Sequence, residues 1–132
     1  MQRVKKQRGL MLFAHGARDP RWSLPFEAVA RSVRERAPEL VVQLAYLEFM
    51  SPGLIDAGRA LAQAGCVRVD VVPLFLGAGG HVRKDLPLLL AELAALHPQV
   101  RWQLCSAIGE VGSVIEAMAQ AALALTLDEA PR

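Results

Sequence analysis

The chain has 132 residues, 53% of them apolar, and 15 Lys and Arg against 13 Asp and Glu leave a formal charge of only +2. That length predicts one domain spanning 1–132 with its core over about 9–127, and the apolar content excludes a disordered chain. So slight a charge excess argues against nucleic acid as partner, because such binders carry a dense basic face, and no uncharged apolar run approaches the roughly 18 residues that a membrane span needs.

Arg3, Lys5, Lys6 and Arg8, with the N-terminal amine, form a basic start like the n-region of a signal peptide. The apolar run that follows, Leu10–Ala14, is too short for an h-region and leads at once into His15-Gly-Ala-Arg-Asp19, so the reading is a cytoplasmic protein. Leu10–Ala14 does not alternate, as expected of a strand covered on both faces. Ser23 is placed to cap a helix whose Phe26, Val29, Ala30, Val33 and Ala37 recur at helical spacing up to Pro38. Val41–Leu47 reads as the second strand. Ser51 then offers a cap with Pro52 at the first helical position, and Gly65 closes that helix. Val67–Leu76 is the third strand, followed by Gly77, Gly79, Gly80 and His81; Asp85 is the expected cap of a helix reaching about Leu96. Val100–Ser106 is the fourth strand and Gly109 to about Leu127 the last helix.

Four strands alternating with four helices predict an α/β fold: a three-layer domain with a four-stranded parallel sheet and right-handed crossovers. Cys66 and Cys105 then fall toward opposite edges of the sheet, too far apart to bridge, and read as reduced core thiols. Ligands bind beyond the carboxyl ends of the strands in such sheets. The candidates at that edge are His15, Gly16, Arg18 and Asp19 after strand one, Glu48 after strand two, Gly79, Gly80 and His81 after strand three, and Ser106 to Gly109 after strand four. His97 precedes strand four and belongs to the opposite edge.

A lone histidine after a strand is more often a hydrogen-bonded turn residue than a ligand. Two on one edge, each beside glycine, raise the case for a metal site, since glycine allows close approach of backbone and ligand. A carboxylate such as Glu48 at a strand end is by itself usually just solvated. Nucleotide binding is poorly supported, because the dinucleotide fingerprint needs glycine where Val82 stands and there is no Gly-Lys-Ser/Thr. No Gly-x-Ser-x-Gly elbow occurs either.

Three segments together resemble the short form of the class II chelatases, the CbiX-type sirohydrochlorin cobaltochelatases. Leu12-Phe-Ala-His15-Gly-Ala-Arg-Asp-Pro20 is similar to the family's His-Gly-Ser-Arg-Asp-Pro after strand one. Ala45-Tyr-Leu-Glu48 with Pro52 is similar to its Phe-x-Glu…Pro. Val72-Pro-Leu-Phe-Leu76 through Gly80-His81-Val82-Arg-Lys-Asp85-Leu-Pro87 is similar to its Pro-x-Phe-Leu…Gly-x-His…Asp-x-Pro. The likeness extends more loosely from about Gly9 to Leu125. Ala17 departs from it, standing where the family commonly has Ser, and the tail lacks the His-rich segment of some relatives.

The resemblance implies a lyase of cobalamin (porphyrin-type tetrapyrrole) biosynthesis that inserts Co(II) into sirohydrochlorin. It implies that His15 and His81 bind the metal and are catalytic, with Glu48 the nearby acidic residue. It implies no permanently bound cofactor; the divalent metal, Co(II) or alternatively Fe(II) or Ni(II), is a substrate. Imidazole suits all three ions, and an open site of two histidines lets the ion leave, where a closed four-ligand site would trap it. Sirohydrochlorin carries many carboxylates, for which Arg18, Arg21, Arg83 and Lys84 lie beside the mouth together with two helix N-termini. Larger chelatases of the class have two such domains. The last helix, apolar over most of its circumference, therefore predicts a homodimer around the tetrapyrrole, against the alternative of burial within a monomer. The rivals are a non-catalytic carrier of metal or tetrapyrrole and a flavodoxin-like mononucleotide binder.

Overall fold

The computed structural model describes residues 6–77 and 79–127, the side chain of His81 excepted, so Arg3 and Lys5 of the basic start lie outside the described residues. Strands β1 (Gln7–Ala14), β2 (Leu40–Tyr46), β3 (Cys66–Pro73) and β4 (Arg101–Leu104) alternate with helices α1 (Leu24–Arg36), α2 (Leu54–Gln63), α3 (Gly80–Leu96) and α4 (Gly112–Leu127). Short 3-10 turns, Pro20–Ser23 and Ile108–Glu110, precede α1 and α4. All pairings in the sheet are parallel, in the order β2-β1-β3-β4. This is the predicted α/β architecture. The chain winds from β1 outward to β2, then crosses back to β3 on the other side, so the direction of winding reverses between β1 and β3. Parallel sheets open a ligand crevice at that switch point.

The two faces of the sheet are built differently. Met11, Phe13, Val69 and Val71 point to one side and pack there with Leu54, Ala57 and Leu61 of α2 and Leu86, Leu90 and Leu93 of α3. On the other side Leu12 and Val42 meet Ala30, with Leu10, Val33, Leu44, Val72 and Leu74 only partly covered. The alternation follows from the two-residue period of a strand. Helix α4 adds nothing to either core: none of its residues is buried, and its packing is against the turn that precedes it.

Several predicted boundaries move, each for a physical reason. Strand β3 ends at Pro73 rather than Leu76, because Pro lacks an N–H for the ladder and Phe75 turns down into the core at 2% exposure. Asp85 does not cap α3. The helix starts six residues earlier than that cap implies, with Gly79 as N-cap, which places Asp85 within its second turn. Pro52 is not the first residue of α2; its carbonyl accepts from the Tyr46 N–H at 2.9 Å, holding it back against β2, and Gly53 is the N-cap. Ser23 does precede α1, but its hydroxyl donates to the Glu27 carboxylate at 2.6 Å instead of capping the backbone. The last helix begins at Gly112, after the 3-10 turn.

Cys66 opens β3 and Cys105 follows β4, both as free thiols at opposite edges. Burial pushes both above the ordinary thiol range, the inert behaviour of structural cysteines. His97 ends α3 at the edge away from the switch point, its ring 6.0 Å from that of Trp102.

Candidate active site

The carboxyl ends of β1, β2 and β3 are knotted together by backbone hydrogen bonds. The Leu47 N–H donates to the Ala14 carbonyl at 2.9 Å and the Glu48 N–H to the His15 carbonyl at 3.0 Å, while on the other flank Leu74 donates to Phe13 at 2.7 Å. Glu48 thus comes beside His15 through main chain, and both residues are exposed. Gly16 makes this possible. Its φ is +88°, and a Cβ there would strike the carbonyl oxygen of Glu48, so no other residue lets the two loops approach.

The His15 imidazole lies on the ring of Phe75, with centroids 4.1 Å apart and planes 30° from parallel. Phe75 is itself wedged against Phe13 at 5.9 Å. A buried aromatic platform under an exposed imidazole restricts the ring's orientation while leaving its nitrogens open. Phe75 belongs to the Pro73-Leu-Phe-Leu76 run, and a phenylalanine in an apolar run looks like any core residue until the loop's turn is known.

The loop after β3 has the opposite character. A Cβ on Gly79 or Gly80 would meet nothing within 4 Å. The fold therefore does not need glycine at these positions, and their smallness leaves open space at the start of α3. The first helical bond, from the Arg83 N–H to the Gly79 carbonyl at 3.0 Å, leaves the N–H groups of the preceding turn outside the helical ladder, at its positive end. His81 is the second residue of this helix.

The predicted cations divide into groups. Arg21 is committed to Asp19: its backbone N–H, Nε and a terminal nitrogen reach the carboxylate at 2.9, 3.2 and 2.9 Å. The Arg21 side-chain bonds, then its backbone N–H, hold the Asp19 carboxyl below the usual range. Arg83 pairs with Glu110 at 3.2 Å, tying α3 to the turn before α4. Arg18 lies over the ring of Phe49 at 4.9 Å, a residue at φ +67° that no sequence pattern would single out. Lys84 is exposed at the start of the second turn of α3. Among the described residues no group of three His, Cys, Asp or Glu gathers as a ready metal cage. A cleft of about 640 Å³ opens along α1 and β2, but neither His15 nor Glu48 lines it. The polar residues His15 and Glu48 meet instead at the strand ends.

Residues 9–124 match the CbiX family. The chain belongs to that family. The CbiX protein of Marinobacter aquaeolei VT8, assigned to cobalamin biosynthesis, superposes with a TM-score of 0.79 at 32% identity, covering 90% of this chain and 97% of that one. The sirohydrochlorin chelatase SirB of Bacillus subtilis subspecies spizizenii, solved with cobalt, shares the fold at 22% identity and a TM-score of 0.77; 89% of this CbiX chain covers 50% of SirB. Sequence relatives include the Methanocaldococcus jannaschii sirohydrochlorin cobaltochelatase, 33% identical over 67% of this chain and 62% of its own length. Another is the chloroplastic sirohydrochlorin ferrochelatase of Arabidopsis thaliana, 29% identical over 76% of this chain and 45% of its own. The match thus spans about half to three-fifths of these relatives.

Proposed function

We propose that this CbiX chain is a lyase that inserts Co(II) into sirohydrochlorin. The observation that supports the reading is that the family match covers a strand edge where main chain brings Glu48 beside His15, with the Gly79–His81 segment following β3 at the same edge. His15 and His81 supply imidazole to the ion. With so few protein ligands, ring nitrogens can replace water around it. As the metal enters, two pyrrole N–H protons leave, and an imidazole or the Glu48 carboxylate accepts them. Arg18, Arg83, Lys84 and the open N-terminus of α3 at Gly79 and Gly80 receive the carboxylates of the macrocycle. Arg21, held by Asp19, contributes less to that binding than Arg18.

Absorbance spectra of sirohydrochlorin with Co(II), recorded under anaerobic conditions with and without the protein, test this. Many turnovers per chain are expected. A spectral change that stops at one equivalent would instead mark a carrier. Iron is the second reading, favoured by the relative named a ferrochelatase, and Fe(II) in the same assay decides between them by rate.

The His15 and Glu48 side chains face solvent in one chain, while one copy matches half of SirB. Both support a homodimer that closes two such edges around the substrate. No helix among the described residues is long and apolar enough to cross a membrane, in keeping with the cytoplasmic setting expected for this pathway.

A further inference from the structure

We infer that two copies of this chain are joined by exchange of α4, each helix lying in an apolar groove of the other copy. The inference rests on the homodimer reading and specifies how it is built. Two unpartnered surfaces carry it. The first is a groove of about 470 Å³ on the α1 side of the sheet, walled by Leu12, Phe26, Val29, Val33 and Leu74, with Ile108 at its end. It exists because α1 packs on β2 and β1 while, among the described residues, no helix lies over β3 on that face. Val29 there is 42% exposed and Leu76, at the rim, 72%. The second is α4, whose Ile115, Leu123, Leu125 and Leu127 are 51% to 77% exposed and whose sixteen residues include a single charge, Glu116.

These surfaces match in chemistry, since both are apolar. A helix of this size is about 24 Å long and 10 Å across. Laid in a groove it covers roughly 500 Å² counting both sides, and two reciprocal contacts reach roughly 1,000 Å², the lower bound for a specific interface. The groove in the same chain is not the seat that α4 takes here. Val111 leaves the 3-10 turn in an extended conformation and accepts the first bonds of the helix, from Val114 and Ile115, which directs α4 away from the fold. A second copy brings the same helix to the groove, and the symmetry of a two-fold dimer makes the exchange reciprocal.

Two charge-inserting variants test the exchange. V29E spoils the groove, and I115E/L125E spoils one face of α4; all three positions are exposed, so the variants keep the wild-type circular dichroism and melting temperature. Sedimentation equilibrium is expected to show a wild-type dimer whose dissociation constant rises at least about a hundredfold in each variant. A wild-type chain that stays monomeric at micromolar concentration overturns both the dimer and the exchange. A wild-type dimer that either variant leaves undiminished overturns the exchange alone and leaves the dimer standing.

Discussion

The loops after β1 and β3 meet at the same edge yet are built on opposite plans. The first is closed: Gly16 at positive φ lets Glu48 reach the His15 carbonyl, and Phe75 supports the imidazole from below. The second is open: Gly79 and Gly80 touch nothing that a side chain would disturb. A glycine can thus serve the fold or serve a visitor, and the space around its missing Cβ tells which. On the proposed function, the closed loop would present a preset donor and the open one would leave room for a bulky ring to come close.

The largest effect expected from breaking the closed side is loss of the donor itself. His15→Ala should lower the Co(II) insertion rate by about 100-fold or more while the melting temperature stays near wild type, because the side chain is exposed. Initial rates and a thermal melt together check this. Next comes the platform. Phe75→Ala should destabilise the fold by about 3 kcal/mol, as core aromatic truncations do, measured by urea unfolding. Phe75→Leu should keep most of the stability but lower kcat, since an aliphatic side chain no longer offers a flat surface to the imidazole.

The two kinds of glycine sharpen the contrast. Gly16→Ala should cost about 1–3 kcal/mol, the range for a strained backbone position, with Cβ driven into a carbonyl besides. Gly79→Ala and Gly80→Ala should change stability by no more than about 0.5 kcal/mol but raise KM for sirohydrochlorin, because the added methyl occupies approach space. A Gly80→Ala enzyme with unchanged KM would break the contrast. The smallest effect belongs to the solvated Asp19–Arg21 pair. Its lowered carboxyl favours the folded state above the ordinary carboxylate range, and that contribution is lost only as pH falls through the depressed value. Asp19→Asn should therefore lower the neutral-pH melting temperature slightly, and the difference from wild type should vanish as acid titration passes below the depressed value.

The architecture was legible because buried parallel strands leave continuous apolar runs, and prolines and glycines punctuate them. It was least legible where apolarity and strand geometry part company. Leu74 to Leu76 read as strand because they are apolar, whereas Phe75 is apolar in order to fill the core under His15. The start of α3 is hard to read because Gly79 and Gly80 disfavour a helix, and packing of Leu86, Leu90 and Leu93 on the sheet outweighs that. The convergence of His15 and Glu48 followed from the strand-end rule. The contacts that hold it did not, since Phe49 at positive φ and the hydrogen bond between loops depend on backbone paths that leave no pattern in residue types.

Phe75 serves two neighbours at once. Its ring carries His15, and its carbonyl accepts the Gly109 N–H at 2.9 Å, anchoring the turn from which α4 departs; a Cβ at Gly109 would collide with Leu76 next to it. The seat of the imidazole and the root of the outermost helix are therefore a single mechanical joint, and a spectroscopic probe on His15 doubles as a gauge of strain at the far end of the chain.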